Sequence, residues 1–138
     1  MGRRGMECFI FEAAEKYLGI EAQYIYRIAD DVKPAPVPLV PSCHVGIIYY
    51  RGNLFDVVDV GSLMGKERSL PNGNPYVILL VWDQWRLALI PDRIVGLEWI
   101  EDSNVTQAVF TKDGRTIQMI TPGEIWKILS ELPYGRPC

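Results

Sequence analysis

The sequence predicts a mainly β protein: two packed five-stranded barrels with one C-terminal helix. Three observations predict it. Short apolar segments rich in Val, Ile, Tyr, Phe and Trp recur between turn residues along the chain, as pleated, half-buried strands require. Several of these segments are apolar on both alternating faces, which implies that two sheets share a hydrophobic seam. Helical periodicity is well marked only near the end. At 138 residues, with 49% hydrophobic and 22% charged, the chain suits a single domain whose core offsets the entropy of ordering it.

About ten strands are expected. The first three are Cys8–Glu12, Lys16–Ile20 and Ile25–Ala29, the third preceded by a short helical turn from Glu21. Two more follow at Val45–Arg51 and Leu54–Val60. Between them lies Lys33-Pro34-Ala35-Pro36-Val37-Pro38-Leu39-Val40-Pro41. Alternate prolines fix φ and remove backbone donors, so this stretch is an extended connector laid across a barrel, neither helix nor central strand. Residues 61–75 carry Gly61, Gly65, Pro71, Gly73 and Pro75 around the charged Lys66-Glu67-Arg68, the composition of a linker. A lobe boundary is expected there, with a first lobe at about residues 7–62 and a second at about 76–120.

The second half repeats the pattern at Tyr76–Trp82, Trp85–Ile90, Ile94–Glu101, Thr106–Thr111 and Arg115–Ile120. Asp83-Gln84 and Asp113-Gly114 suit tight hairpin turns, the second a type I′ turn. In Tyr76–Trp82 both faces are apolar, whereas Ile94–Glu101 gathers Val95, Leu97 and Trp99 on one side. A helix over about residues 122–132 closes the chain. Thr121 caps it, Pro122 takes the first helical position and Glu124 completes a capping box. Ile125, Ile128, Leu129 and Leu132 then fall on one face before Pro133 ends the run.

Little in the chain carries chemistry. Fourteen basic against seventeen acidic residues leave a formal charge of −3, the wrong sign for displacing phosphate counterions, so nucleic acid is not an expected partner. Cys8, Cys43 and Cys138 are scattered and unpaired in sequence, which suits a reduced cytoplasm. Cys138 at the terminus is not a prenylation box, Met6 is wrong for myristoylation, and Glu7 and Glu12 break the apolar stretch after Arg3-Arg4. The longest apolar run, Tyr76–Trp82, falls well short of a membrane span. His44 is the only histidine; beside Cys43 in an extended chain it points to the opposite face, so the two form no dyad and His44 takes a loop role. Asp30-Asp31 and Glu101-Asp102 are read as solvated strand ends. No phosphate loop, serine elbow or zinc helix occurs. No catalysis, cofactor or metal is expected.

The informative stretch runs from Pro41 to Val60: Pro41-Ser42-Cys43-His44-Val45-Gly46-Ile47-Ile48-Tyr49-Tyr50-Arg51-Gly52-Asn53-Leu54-Phe55-Asp56-Val57-Val58-Asp59-Val60. It resembles the signature hairpin of CheW-like domains, in which a proline loop leads to Gly-Val-Ile, then Arg-Gly, then a strand ending in Val-Asp-Leu. Gly46, Arg51, Gly52 and Asp59 match that motif. Phe9-Ile10-Phe11, Gly19-Ile20 and Ile25–Ile28 look like the family's first strands, Asp92-Arg93-Ile94 resembles its Asp-Arg-Val element, and Asp113-Gly114 before a strand and capped helix is similar to its ending. The resemblance spans about residues 7–132, a single domain.

What the resemblance implies is two linked SH3-like barrels and a non-catalytic cytoplasmic adaptor that couples chemoreceptors to a CheA-type histidine kinase. One surface would bind the kinase's regulatory domain and another the cytoplasmic tip of a receptor, with no insertion into the membrane. Tyr49-Tyr50 in place of Asn-Leu, Asp56 in place of proline, Pro91 before Asp92 and Thr121 in place of aspartate depart from the family pattern, and leave open a related output such as pilus motility. Arg51 has two readings, a cross-link to carbonyls or Asp59 and a contact to a partner's acidic group. Gly46, Gly52 and Asp59 read as structural. The competing class is a small barrel that stacks oligosaccharide or nucleic acid on its seven tyrosines and four tryptophans. Against it, most of these aromatics alternate along strands as core residues do.

Overall fold

Two-residue reversals join four pairs of consecutive strands as antiparallel hairpins. In the computed structural model, which describes residues 5–30, 34–35, 43–65, 76–101, 105–106 and 109–131, β1 (Gly5–Ala13) turns through Ala14-Glu15 into β2 (Lys16–Glu21). A 3-10 turn at Ala22–Tyr24, where a helical turn is expected, leads to β3 (Ile25–Ala29). Next come β4 (His44–Tyr50), β5 (Asn53–Asp59) and a one-turn helix α1 (Val60–Leu63). The chain continues as β6 (Val77–Trp82), β7 (Trp85–Ile90) and β8 (Arg93–Glu101). It ends with β9 (Val105–Thr106), β10 (Val109–Lys112), β11 (Arg115–Met119) and α2 (Pro122–Glu131). The strand expected at Thr106–Thr111 is thus two pieces that pair with each other.

Ala14-Glu15 (φ +53° and +64°), Arg51-Gly52 (+48° and +88°) and Asp113-Gly114 (+52° and +76°) are left-handed at both central positions, the twist that two-residue hairpins need. Gly52 and Gly114 adopt it freely, whereas Ala14 and Glu15 do so against their own steric preference. Asp92 holds that turn: its carboxylate accepts the Ala14 N–H at 2.9 Å and its N–H donates to the Glu12 carbonyl at 2.8 Å. Arg93 adds an ion pair to Glu12.

The strands form a six-stranded sheet in the order β8-β1-β2-β11-β10-β9 and a five-stranded sheet in the order β3-β6-β7-β5-β4. This differs from the expected division into a first and a second half of the chain. β1 and β2 leave with the late strands, because β1 pairs antiparallel with β8 and β2 pairs parallel with β11. The Gly/Pro-rich stretch at 61–75 follows β5 and precedes β6, two strands of the same sheet. Composition marks such a stretch as a connection but carries no record of which distant strands it separates.

The shared seam is present. β6 sends Ile78 and Leu80 to one core and Val77 and Leu79 to another. The first is the seam, where Phe9, Phe11, Leu18 and Ile20 of one sheet meet Ile78, Leu80, Leu87 and Leu89 of the other. The second fills the five-stranded barrel around Phe55 and Val57, and a third fills the six-stranded one around Ile10, Ile100, Phe110 and Ile117. Helix α2 seals the seam with Ile125 and Leu129, and Trp126 packs on Trp85 with ring centres 5.2 Å apart. Thr121 caps α2 as expected, its hydroxyl accepting the Glu124 N–H at 3.1 Å.

Strand β8 departs from simple alternation. Its register with β1 shifts between Ile10 and Phe11, a bulge that turns Val95 into the six-stranded core while Leu97 and Trp99 stay outside, 57% and 48% exposed. The three do not share a face. Of the proline-rich stretch, Pro34 and Ala35 are described, and Ala35 exchanges two backbone hydrogen bonds with Ile47, 2.7 and 2.9 Å, along β4. That extended segment covers part of the edge of β4, the last strand of its sheet.

Candidate partner-binding surface

The β4–β5 hairpin carries the four motif residues to quite different places. Gly46 is buried beside a register shift that follows His44, a bulge position that suits a residue without a side chain. Asp59 is buried at the far end of β5, where its carboxylate accepts the Ser62 hydroxyl at 3.2 Å and its N–H donates to the Cys43 carbonyl at 2.8 Å. It ties β5 to α1. Arg51 and Gly52 form the exposed tip. β5 is seven residues long, which at roughly 3.3 Å per residue puts Arg51 about 20 Å from Asp59. The cross-link between them that the sequence allowed does not form.

At the tip, the Arg51 guanidinium lies 5.4 Å from the centre of the Tyr50 ring, and Tyr50 meets Tyr26 edge-on at 6.3 Å. Tyr49 and Leu54 sit directly opposite each other across the hairpin, 70% and 58% exposed. An exposed cation at the turn, its guanidinium over Tyr50, thus tops a hairpin whose other face carries a cross-strand apolar pair. The alternation along β4 holds the signal for this, since Ile48 points inward and its neighbour Tyr49 must point out. Reading the aromatics as mostly core missed it, along with Tyr26, Tyr76, Trp85 and Trp99.

His44 takes a different role from the one expected. It opens β4, and its Nε2 lies 3.1 Å from Oδ1 of Asp56, the aspartate that stands in place of the family's proline. Asp30 is exposed at the end of β3, whereas Asp31 and Asp102 lie outside the described residues. Among the described residues no group of three His, Cys, Asp or Glu side chains is placed to hold a metal ion, and no helix is long and apolar enough to cross a membrane. A cavity of about 160 Å³ lies between α1, β2, β11 and α2, lined mainly by apolar groups such as Leu18, Leu63, Met64 and Ile125. It presents no acid–base pair.

The cysteines separate. Cys43 is buried and disulfide-bonded, which the scatter of the three cysteines along the sequence did not signal. Cys8 is free and buried. Burial first, then the charges of Glu21 and Glu7, push its thiol from 9.0 up to about 11, which keeps it protonated and unreactive at neutral pH. Because the fold favours the protonated thiol, this stabilisation is complete below pH 9 and is lost as pH rises towards 11. Unfolding free energies of wild type and Cys8→Ala should therefore converge by up to about 3 kcal/mol over that interval. A difference that is constant with pH would refute it.

A family model for the CheW-like domain matches residues 7–130. The chain belongs to the CheW-like domain family. Among solved structures it is similar to the crystal structure of the scaffolding protein TtCheW from Thermoanaerobacter tengcongensis, with a TM-score of 0.75 at 21% identity, covering 84% of this chain and 88% of that one. No curated protein matches it. The CheW-like fold accounts for the two barrels, the shared seam and the closing helix.

Proposed function

We propose that this CheW-like protein is a cytoplasmic, non-catalytic adaptor that couples the tip of a chemoreceptor to the regulatory domain of a CheA-type histidine kinase. The observation that carries the reading is the hairpin tip, where Arg51 stands exposed at the turn and Tyr49 and Leu54 lie exposed across the strands behind it. A rigid turn that displays a cation and an apolar pair suits an acidic, amphipathic helical partner. Gly46, Gly52 and Asp59 act behind it, shaping and anchoring the hairpin. Such an adaptor needs no reactive group: it shifts the kinase between states only through differential binding, and repeated weak contacts in an array add avidity. The oligosaccharide reading has less support, because the exposed aromatics are scattered, with Trp99 on one sheet, Tyr49 on the other and Trp85 engaged with Trp126.

Pairwise titration with the cognate kinase domain and receptor tip tests this. Both should bind, and autophosphorylation of the full kinase should change when receptor and adaptor are added together. Failure of both to bind at tens of micromolar, an affinity of about 6 kcal/mol that weak signalling contacts reach, would sink the adaptor reading.

A further inference from the structure

The cavity between α1, β2, β11 and α2 opens from the seam towards solvent. Leu18 and Ile125, which belong to the seam core, line it together with Leu63 and Met64 at the end of α1. Half-exposed Ile128 lines it too, on the side of α2. At about 160 Å³ it matches the apolar cavities of roughly 150 Å³ that take up a benzene-sized molecule. The thioether of Met64 is unbranched and adapts to the shape of what enters.

Two polar side chains among its lining indicate the chemistry of what binds, Gln118 of β11 and Glu124 of α2. The sequence pattern expects the Glu124 carboxylate to turn back and complete the capping box. Only half of that box forms. The Thr121 hydroxyl accepts the Glu124 N–H, whereas among the described residues no hydrogen bond or ion pair engages the Glu124 carboxylate. No Lys or Arg is among the described residues that line the cavity. A carboxylate beside an apolar cavity, with no cation of its own there, suits a ligand that brings one, because a charge-assisted hydrogen bond is stronger than a neutral one. The amide oxygen of Gln118 can accept a second N–H from the same ammonium.

We infer that this cavity binds a small organic cation, a protonated primary amine joined by a short linker to a compact, ring-sized apolar group. The ammonium meets Glu124 and Gln118 while the apolar group fills the space against Leu18, Leu63 and Ile125. A partner protein's lysine offers the same ammonium on a thin unbranched stem, which leaves the breadth of the cavity empty and forfeits dispersion contacts with its lining. Anions of the same shape are repelled by Glu124. The site is independent of the adaptor reading, since neither the kinase nor the receptor takes part in it.

The full chain is titrated at neutral pH with phenethylamine, with 2-phenylethanol and phenylacetate as its neutral and anionic counterparts, and with Nα-acetyl-lysinamide in place of a partner's lysine. Calorimetry gives the affinities, and methyl resonances of Leu18, Leu63 and Ile125 report where the probe sits. Phenethylamine should bind with a Kd of about 1 mM or tighter, which a ligand of its size can reach, and should shift those methyl groups. Phenylethanol should bind about tenfold more weakly, and phenylacetate and the lysine amide more weakly still. Glu124→Gln should lower phenethylamine affinity to that of phenylethanol while leaving phenylethanol unchanged, which also shows that the variant keeps its cavity. Glutamine serves at that helix position as well as glutamate, so its melting temperature should match wild type. The inference is overturned by the absence of saturable phenethylamine binding at about 10 mM, by shifts confined to residues away from the cavity, or by equal affinity for phenylacetate. Phenethylamine affinity within about twofold of wild type in Glu124→Gln would overturn it too, as would tighter binding of the lysine amide, which would give the cavity to a protein partner.

Discussion

Phe11→Ala should lower the unfolding free energy by about 3–5 kcal/mol and do so in one transition for the whole molecule. Phe11 is fully buried and belongs to the seam, where it packs in the same core as Leu18, Ile78, Leu80 and Leu89. Truncation removes apolar contacts from both sheets at once and leaves a cavity that neither can close alone. A loss of that size is a large share of the roughly 5–15 kcal/mol by which domains are stable. Phe110→Ala, inside the six-stranded barrel, should cost a similar amount without touching the seam. The measurement is denaturant unfolding followed by two probes, the near-ultraviolet signal of the Trp85–Trp126 pair and total secondary structure. Coincident transitions at a lower midpoint are expected for Phe11→Ala. Separation into two transitions in wild type would show that the sheets are not joined by a common core.

The same seam explains what was legible in the sequence. Strand positions followed from alternation and turn chemistry, because both are local: Ile25–Ala29 and Trp85–Ile90 were placed at their observed limits, and the Thr121 cap was read from three residues. The two-sided apolar pattern of Tyr76–Trp82 implies a covered sheet, and the observed strand Val77–Trp82 is one. What failed was partnership at a distance. Nothing in Lys16–Glu21 records that it will lie parallel to Arg115–Met119, so a division into halves looked natural although the chain leaves one sheet after β2 and returns at β8. The Ala14-Glu15 turn was missed for a related reason. Its left-handed backbone is held by Asp92, 78 residues away, rather than by glycine. Leu97 and Trp99 were grouped with Val95 because a bulge is invisible to a pattern of period two.

Of the site residues, Gly46, Gly52 and Asp59 occupy positions whose local demands fit them, whereas Arg51 could not be assigned from sequence because both of its readings need the same side chain. The geometry now separates their consequences. Arg51→Ala should leave the fold nearly unchanged, since the residue is exposed at the turn and its ring contact to Tyr50 is worth about 0.5–1 kcal/mol at such a site. Alanine at φ +48° carries much the same left-handed strain as arginine, so the turn itself gains and loses little. A structural cross-link would instead cost more, because buried acceptors would lose their donor. The effect on coupling should be large. Replacing the guanidinium at the exposed turn removes the charge that an acidic partner would meet, and Arg51→Glu would add repulsion where the alanine variant only removes attraction. Receptor-dependent control of the kinase should therefore be lost in Arg51→Ala and in Arg51→Glu, with the melting temperature of the alanine variant close to wild type and kinase-domain binding retained. Normal receptor control by a folded Arg51→Glu protein would remove the hairpin tip from the interface, and a fall of several kcal/mol in Arg51→Ala would return the residue to a structural role.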